Sequence, residues 1–511
     1  MSSPQFPDRF TRRAFLGTGL SAAALAALTA CSAAPASPSL IAPSAGAIAA
    51  AERARRSTGV VRRATLQAAR NSLDLAGTSV DTWSFGQVPA QVIRATAGDT
   101  IRATLQNRLP VPTSIHWHGV ALRNDMDGVP PITQDAVRPG KEFTYRFIAE
   151  HPGTYWFHPH VGAQLDRGLY GALIVDDPKE PLQYDEEWVV ILDDWLDATP
   201  EAVLAQLSKG MKSMSGMSGM DGMSGMSGMP TRDGNMLMGA TSKLLGGDAG
   251  DVFYPRYLVN GRPADDPETF RSKPGRRVRI RLINAGGDTA FRVALGGHAL
   301  TITHTDGYPV QHTEVDSVLI GMGERYDVIA TLRSGVFPLV ASAEGKQDAG
   351  MAIVRTAAGR APAPLASLAE LDKRVGRAAA LKADPSVGLR ARRPDREVTL
   401  RLSGSMTKYD WAINGRRFDE RAPLKGAETI RSGERVRLHF VNTTTMWHPM
   451  HLHGHTYQHL GGGPRKDTSI VLPKQTLSVD FDADNPGEWI THCHNIYHAE
   501  AGMMAVLAYR A

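Results

Sequence analysis

The chain carries four His-x-His pairs: His116-Trp117-His118, His158-Pro159-His160, His451-Leu452-His453 and His492-Cys493-His494. In an extended strand residues i and i+2 point to the same face, so each pair offers two imidazoles to one side. Eight converging imidazoles exceed the four ligands that a tetrahedral zinc site wants. Cys493 lies between two of these histidines and must therefore face the other way, away from their metal. Its partners are expected to be His498, Met503 and His448, the last placed by the His448-Pro449 break ahead of the next pair. Two imidazoles, a thiolate and a weak axial thioether are the ligands of a blue-copper electron-transfer centre.

These groups need strands to hold them, and an internal repeat supplies the strands. Gly98 to Asn107, Gly275 to Asn284 and Gly433 to Asn442 align without gaps, each a turn followed by the alternating residues of a half-buried strand. At 511 residues the chain has room for three domains, and 50 Gly with 32 Pro suit many short strands. Three consecutive β-sandwich domains are the expected architecture. The first and third copies share more: Pro152-Gly153 precedes His158 as Pro486-Gly487 precedes His492, and Gly168 aligns with Gly502. The second copy has the strand but no His-x-His pair, and is expected to be a spacer. In the first copy Thr113, Pro159, Gln164 and Leu169 stand where His448, Cys493, His498 and Met503 stand in the third. Only the third domain can hold a blue copper, so electrons should enter at one place.

The N-terminus reads as an export signal. Arg12-Arg13 precedes an apolar stretch from Leu16 to Ala30 that is too short to span a bilayer, and Leu28-Thr29-Ala30-Cys31 resembles a lipobox. Lipidation at Cys31 would anchor the protein in the cell envelope, in the periplasm or on the outer face of the cytoplasmic membrane, after twin-arginine export. Residues 1–31 are thus a signal and 32–57, rich in Ala, Ser and Pro, a flexible tether. With Cys31 lipidated, Cys493 has no disulfide partner in an oxidising compartment, which favours metal binding. The formal charge of +5 includes basic residues of the signal, so it gives no reason to expect a nucleic-acid partner.

Taken together, His116-Trp-His118-Gly, His158-Pro-His160, His448-Pro-Met-His451-Leu-His453-Gly and His492-Cys-His494-Asn-Ile-Tyr-His498-x₄-Met503 resemble the multicopper oxidase signature across essentially the whole mature chain. The resemblance is nearest to bacterial copper-resistance oxidases, including lipid-anchored actinobacterial ones. It implies an all-β chain of three cupredoxin-like Greek-key β-sandwich domains at 58–180, 181–360 and 361–511. It also implies four copper ions: a type 1 ion on His448, Cys493, His498 and Met503, a type 2 ion on His116 and His451, and paired type 3 ions on His118, His158, His160, His453, His492 and His494. Electrons would enter singly through an exposed edge of His448 and pass along Cys493, and four of them would reduce O₂ to two waters. Asp127 matches a family acid and is assigned as proton donor or relay. Ala499 stands where a second family acid is usual, and Glu500 is its expected substitute, while Asp467 is expected to be structural. The other seven histidines match no motif and are expected to be surface or hydrogen-bonded structural groups.

A tract within 209–240 bears on the electron donor. Met211, Met214, Met217, Met220, Met223, Met226 and Met229 recur every third residue among Ser and Gly, with Met236 and Met238 beyond them. That period fits neither helix nor strand, and thioethers favour Cu(I). The tract reads as a mobile loop gathering cuprous ions, which makes Cu(I) the expected donor and copper tolerance the expected purpose. Fe(II) or phenols as donors, with an incidental tract, form the second reading, and a non-enzymatic copper store the third. A monomer is expected.

Overall fold

The computed structural model describes residues 39–209, 231–364 and 368–511. Among the described residues, three successive pairs of large sheets, with two small two-stranded ones, form the fold. The first pair joins a four-stranded sheet, containing Val61–Leu75 and Asp99–Asn107, to another containing Gly153–His158 and His116–His118. The second pair has seven and six strands, and the third has six and five. In the first pair Ile101, Ala103 and Leu105 turn inward to meet Trp117, Phe157 and Leu173 from the facing sheet, all fully buried. Alternating apolar positions on two facing sheets make the core of a sandwich.

The three repeat copies are Asp99–Asn107, Arg277–Asn284 and Arg435–Asn442. Each sits inside its sheet between the same neighbours, parallel to an earlier strand and antiparallel to a later one. The glycine ahead of each copy has a positive φ (+91° at Gly98, +82° at Gly275, +85° at Gly433), a turn conformation that costs glycine little. The asparagine closing each copy folds its amide back onto the loop beyond.

Three expectations change. The middle copy is not half-buried: seven of its eight residues, Val278 to Asn284, are buried. Its outward side lies against the first domain, where Arg281 donates to Thr154 and both Arg279 and Arg281 pair with Asp327. Residues 39–57 are not a free tether. Leu40 bridges Arg510, and the helix Gly46–Ala54 sets Glu52 to accept a hydrogen bond from the Ile148 N–H. Arg55 reaches Glu150 of the first domain and Asn485 of the third, so this arm staples the two together. The end of the Met-rich segment is also ordered: Thr231–Asp233 and Met236–Met238 form a hairpin. Met211 through Met229, and Cys31, lie outside the described residues.

Candidate metal centres

Strand pairing explains how the histidines converge. In the first domain His116 lies opposite His158, and in the third His451 lies opposite His492 and Met450 opposite Cys493. The two arrays face one another across the domain interface. Ligand atoms of His116, His118 and His451 lie within 4.8 Å of one another, as do those of His118, His158 and His494, and those of His160, His453 and His492. His116 stacks on His453, and His118 on His451, with ring centroids 3.8 Å apart in each pair. Each stack joins one ring from the first domain to one from the third.

The donor set fits metal ions. His116 Nδ1 lies 3.0 Å from the Asp127 carbonyl, His158 Nδ1 2.7 Å from that of Pro159, His451 Nδ1 2.9 Å from that of Asp467 and His492 Nδ1 2.8 Å from that of Cys493. One nitrogen of each ring is thus tied down, which fixes the ring's direction. The Nε2 atoms of His116, His158, His160 and His451, Nδ1 of His118 and both ring nitrogens of His494 are buried with no protein partner. Buried polar atoms are normally satisfied, so this donor chemistry fits the ligation of metal ions. His453 Nε2 and His492 Nε2 converge to 3.1 Å, as two ligands of one ion would. Burial first, and then neighbouring imidazoles, push His118, His158, His160, His453 and His494 well below the ordinary histidine range. Neutral imidazole is the form that ligates.

On the opposite face of its strand Cys493 is fully buried, with Sγ 3.6 Å from His448 Nδ1 and 3.7 Å from His498 Nδ1. The two Nδ1 atoms are 3.1 Å apart, closing a triangle of donors. Met503 is fully buried in the same cluster, and its carbonyl accepts from the Cys493 N–H at 3.1 Å. Burial pushes the Cys493 thiol up, so a thiolate here needs a cation beside it. In the first domain the matching place holds a hydrogen bond from Thr113 Oγ1 to Gln164 Oε1 at 2.7 Å, with Leu169 buried nearby.

The acids fall out differently. Asp127 is buried between both arrays, with Oδ2 2.9 Å from His453 Nδ1 and Oδ1 3.2 Å from His116 Nδ1. Asp467 Oδ1 lies 3.2 Å from His118 Nε2 and 3.4 Å from His451 Nδ1. Glu500 is half-buried beside Gln164, Arg167 and Glu201, and no hydrogen bond or ion pair joins it to a histidine among the described residues. Asp166 does touch that loop, accepting hydrogen bonds from Tyr497 and Tyr254.

His448 has no exposed edge. It is fully buried, and its Nε2 lies 2.9 Å from Thr444 Oγ1. His498 is equally buried, and its Nε2 meets Asp251 Oδ2 at 2.9 Å. Asp251 belongs to the second domain, which is therefore more than a spacer. That domain also supplies Arg325 to Asp467 and Gly323 to the histidine cavity, where a Cβ would come within 2.8 Å of His494 and 3.0 Å of His118. Asp251 and Arg325 carry no spacing signal, and only an alignment of relatives would have exposed them. Trp447 packs among Leu237, Leu245 and Met322. Of the histidines outside the signature, His298 bonds backbone through both nitrogens, and His455 spans the His453 carbonyl and the Tyr509 hydroxyl.

Three family models, each described as multicopper oxidase, match residues 69–180, 186–359 and 391–511. The chain belongs to the multicopper oxidase family, oxidoreductases that hold four copper ions and use O₂. It is 48% identical to the multicopper oxidase MmcO of Mycobacterium tuberculosis, over 98% of this chain and 97% of that one. Copper resistance protein A of Escherichia coli is 28% identical over 88% and 94%. In fold it resembles Fet3p, a multicopper oxidase that functions in iron import (TM-score 0.72, 20% identity, 88% and 90% covered). The laccase of Botrytis aclada is similar (TM-score 0.73, 24% identity, 89% of each chain).

Proposed function

We propose that this chain oxidises Cu(I) at a type 1 centre on His448, Cys493, His498 and Met503, and couples four such one-electron steps, with four protons, to reduction of O₂ to two waters. The type 2 ion would rest on His116 and His451, and the type 3 pair on His118, His158, His160, His453, His492 and His494. Bound there, copper supplies the one-electron chemistry and the O₂ reduction, and the chain's residues arrange the rest. Cys493 is joined by single peptide bonds to His492 and His494, so an electron reaching Sγ has a covalent path to the shared cavity. Asp127, which touches an imidazole from each array, is the carboxylate assigned to proton delivery.

The observation that carries the Cu(I) reading is where the Met-rich segment ends. Met236 bridges Val252, and Leu237 N–H donates to the Asp251 carbonyl, on the residue whose side chain holds His498. Thioethers upstream would thus lie along a segment joined through the buried Asp251 to His498, one of the proposed type 1 ligands. The names of two relatives, copper resistance protein A and its homologue, accord with a role in copper tolerance. Anchoring through Cys31 in the cell envelope belongs to the same proposal.

The test compares the intact protein with one lacking residues 211–229, using Cu(I), Fe(II) and a phenol in turn. Cu(I) oxidation should fall about 10-fold in kcat/KM, the scale on which groups around a metal site act. Equal rates of the two proteins on all three donors would remove the tract from the mechanism and leave a ferroxidase or laccase-like enzyme.

A further inference from the structure

Outside the ligands themselves, the most heavily built feature is a charged network that the second domain drives into the histidine cavity. Arg325 is fully buried and grips Asp467 with two parallel bonds, Nη1 to Oδ1 and Nη2 to Oδ2, each 2.7 Å. Its Nε donates to the Thr154 carbonyl at 3.0 Å, and its guanidinium lies 5.8 Å from the Tyr155 ring centroid. One side chain therefore touches all three domains. Asp306 extends the grip, accepting from the Asp467 and Thr468 N–H groups at 3.1 Å each and pairing with Lys466 at 3.1 Å. Glu324 completes the set, 3.2 Å from Lys466.

Two features make this more than buried packing. The carboxylate that Arg325 holds is the one beside His118 Nε2 and His451 Nδ1, two stacked rings from different domains. Their unpartnered nitrogens, His118 Nδ1 and His451 Nε2, face the cavity. Moreover, the Asp467 carboxylate sits in one buried set with Asp306, Glu324, Arg325 and Lys466. An isolated buried anion would be costly, and the forked guanidinium makes this one tolerable while fixing its angle.

We propose that Arg325 is a positioning residue for the shared three-metal site: through Asp467 it locks His118 and His451 in register across the interface and so governs retention of the type 2 ion. This rests on assigning His451 to that ion. A lysine retains the charge at this position but cannot make the planar two-pronged contact.

The experiment uses the full copper-loaded protein and the variants Arg325→Lys and Arg325→Met. Copper is counted per chain after dialysis against a chelator, type 2 copper is followed by electron paramagnetic resonance, and the visible thiolate band reports the type 1 site. Retention of type 2 copper should weaken about 10-fold or more in Arg325→Lys, with the count falling from four towards three and the visible band intact. Arg325→Lys with four ions and an unchanged type 2 signal would overturn the proposal. So would proportional loss of every copper signal, which marks a general folding defect; Arg325→Lys decides the matter even if Arg325→Met does not fold. Wild-type protein lacking the type 2 signal or the visible band would instead sink the ligand assignment beneath it.

Discussion

Asn442 shows how much a single residue does in this architecture. Its Nδ2 donates to the carbonyls of Met446 at 2.7 Å and of Val471 and Leu472 at 3.1 Å, while Oδ1 accepts from the Thr444 N–H at 2.9 Å. Asn107 and Asn284 repeat the arrangement, with Oδ1 taking the N–H two residues on and Nδ2 reaching two carbonyls. In the third domain this closes the loop that delivers His448. Asn442→Ala strands several buried backbone groups, and should destabilise the protein by about 2–4 kcal/mol in urea unfolding. A loss under 1 kcal/mol would mean that water replaces the amide without penalty. The three asparagines were visible in the repeat, but their task was not, because their partners are backbone groups that no side-chain pattern records. The clusters of histidines and Cys493 were legible for the opposite reason. A metal needs particular side chains, and strand parity alone sorted Cys493 from His492 and His494.

The strand Arg277–Asn284 is the element whose surroundings its own sequence hides. The repeat suggested a half-buried strand, yet Arg279 and Arg281 are buried around Asp327, with Thr154 of the first domain accepting from Arg281 and donating to the same carboxylate. Burial alone would raise the Asp327 carboxyl, but the two guanidiniums outweigh it and hold the group well below its ordinary range. A carboxyl whose pKa is lower folded than unfolded adds stability above its unfolded pKa, and loses it as pH falls towards the folded one. The stability difference between wild type and Asp327→Asn should therefore be flat from neutral pH to about 4, at roughly 3–5 kcal/mol, and shrink below that. Urea titrations at several pH values check this. A difference that grows on acidification would contradict the assignment. What escaped sequence reading here was the interface, since the partner of a strand's outer face lies over a hundred residues away.

At the scale of the molecule, the two outer domains bring the clustered histidines and Cys493, and the middle domain and the N-terminal arm brace them. Ring stacks shared between domains 1 and 3 make the histidine cavity a property of their docking, and Asp251 and Arg325 tie that docking to domain 2. The repeat made three sandwiches legible, but treated copy two as idle because it lacks ligands. Contact across an interface leaves no period in a sequence. The most direct test of the whole account is the visible spectrum of copper-loaded protein beside that of Cys493→Ser. The account predicts an intense thiolate-to-copper band in the wild type. In the variant that band should vanish with oxidase turnover while the type 2 signal persists. A copper-loaded wild type without the band, or a band that survives the loss of this sulfur, would contradict it.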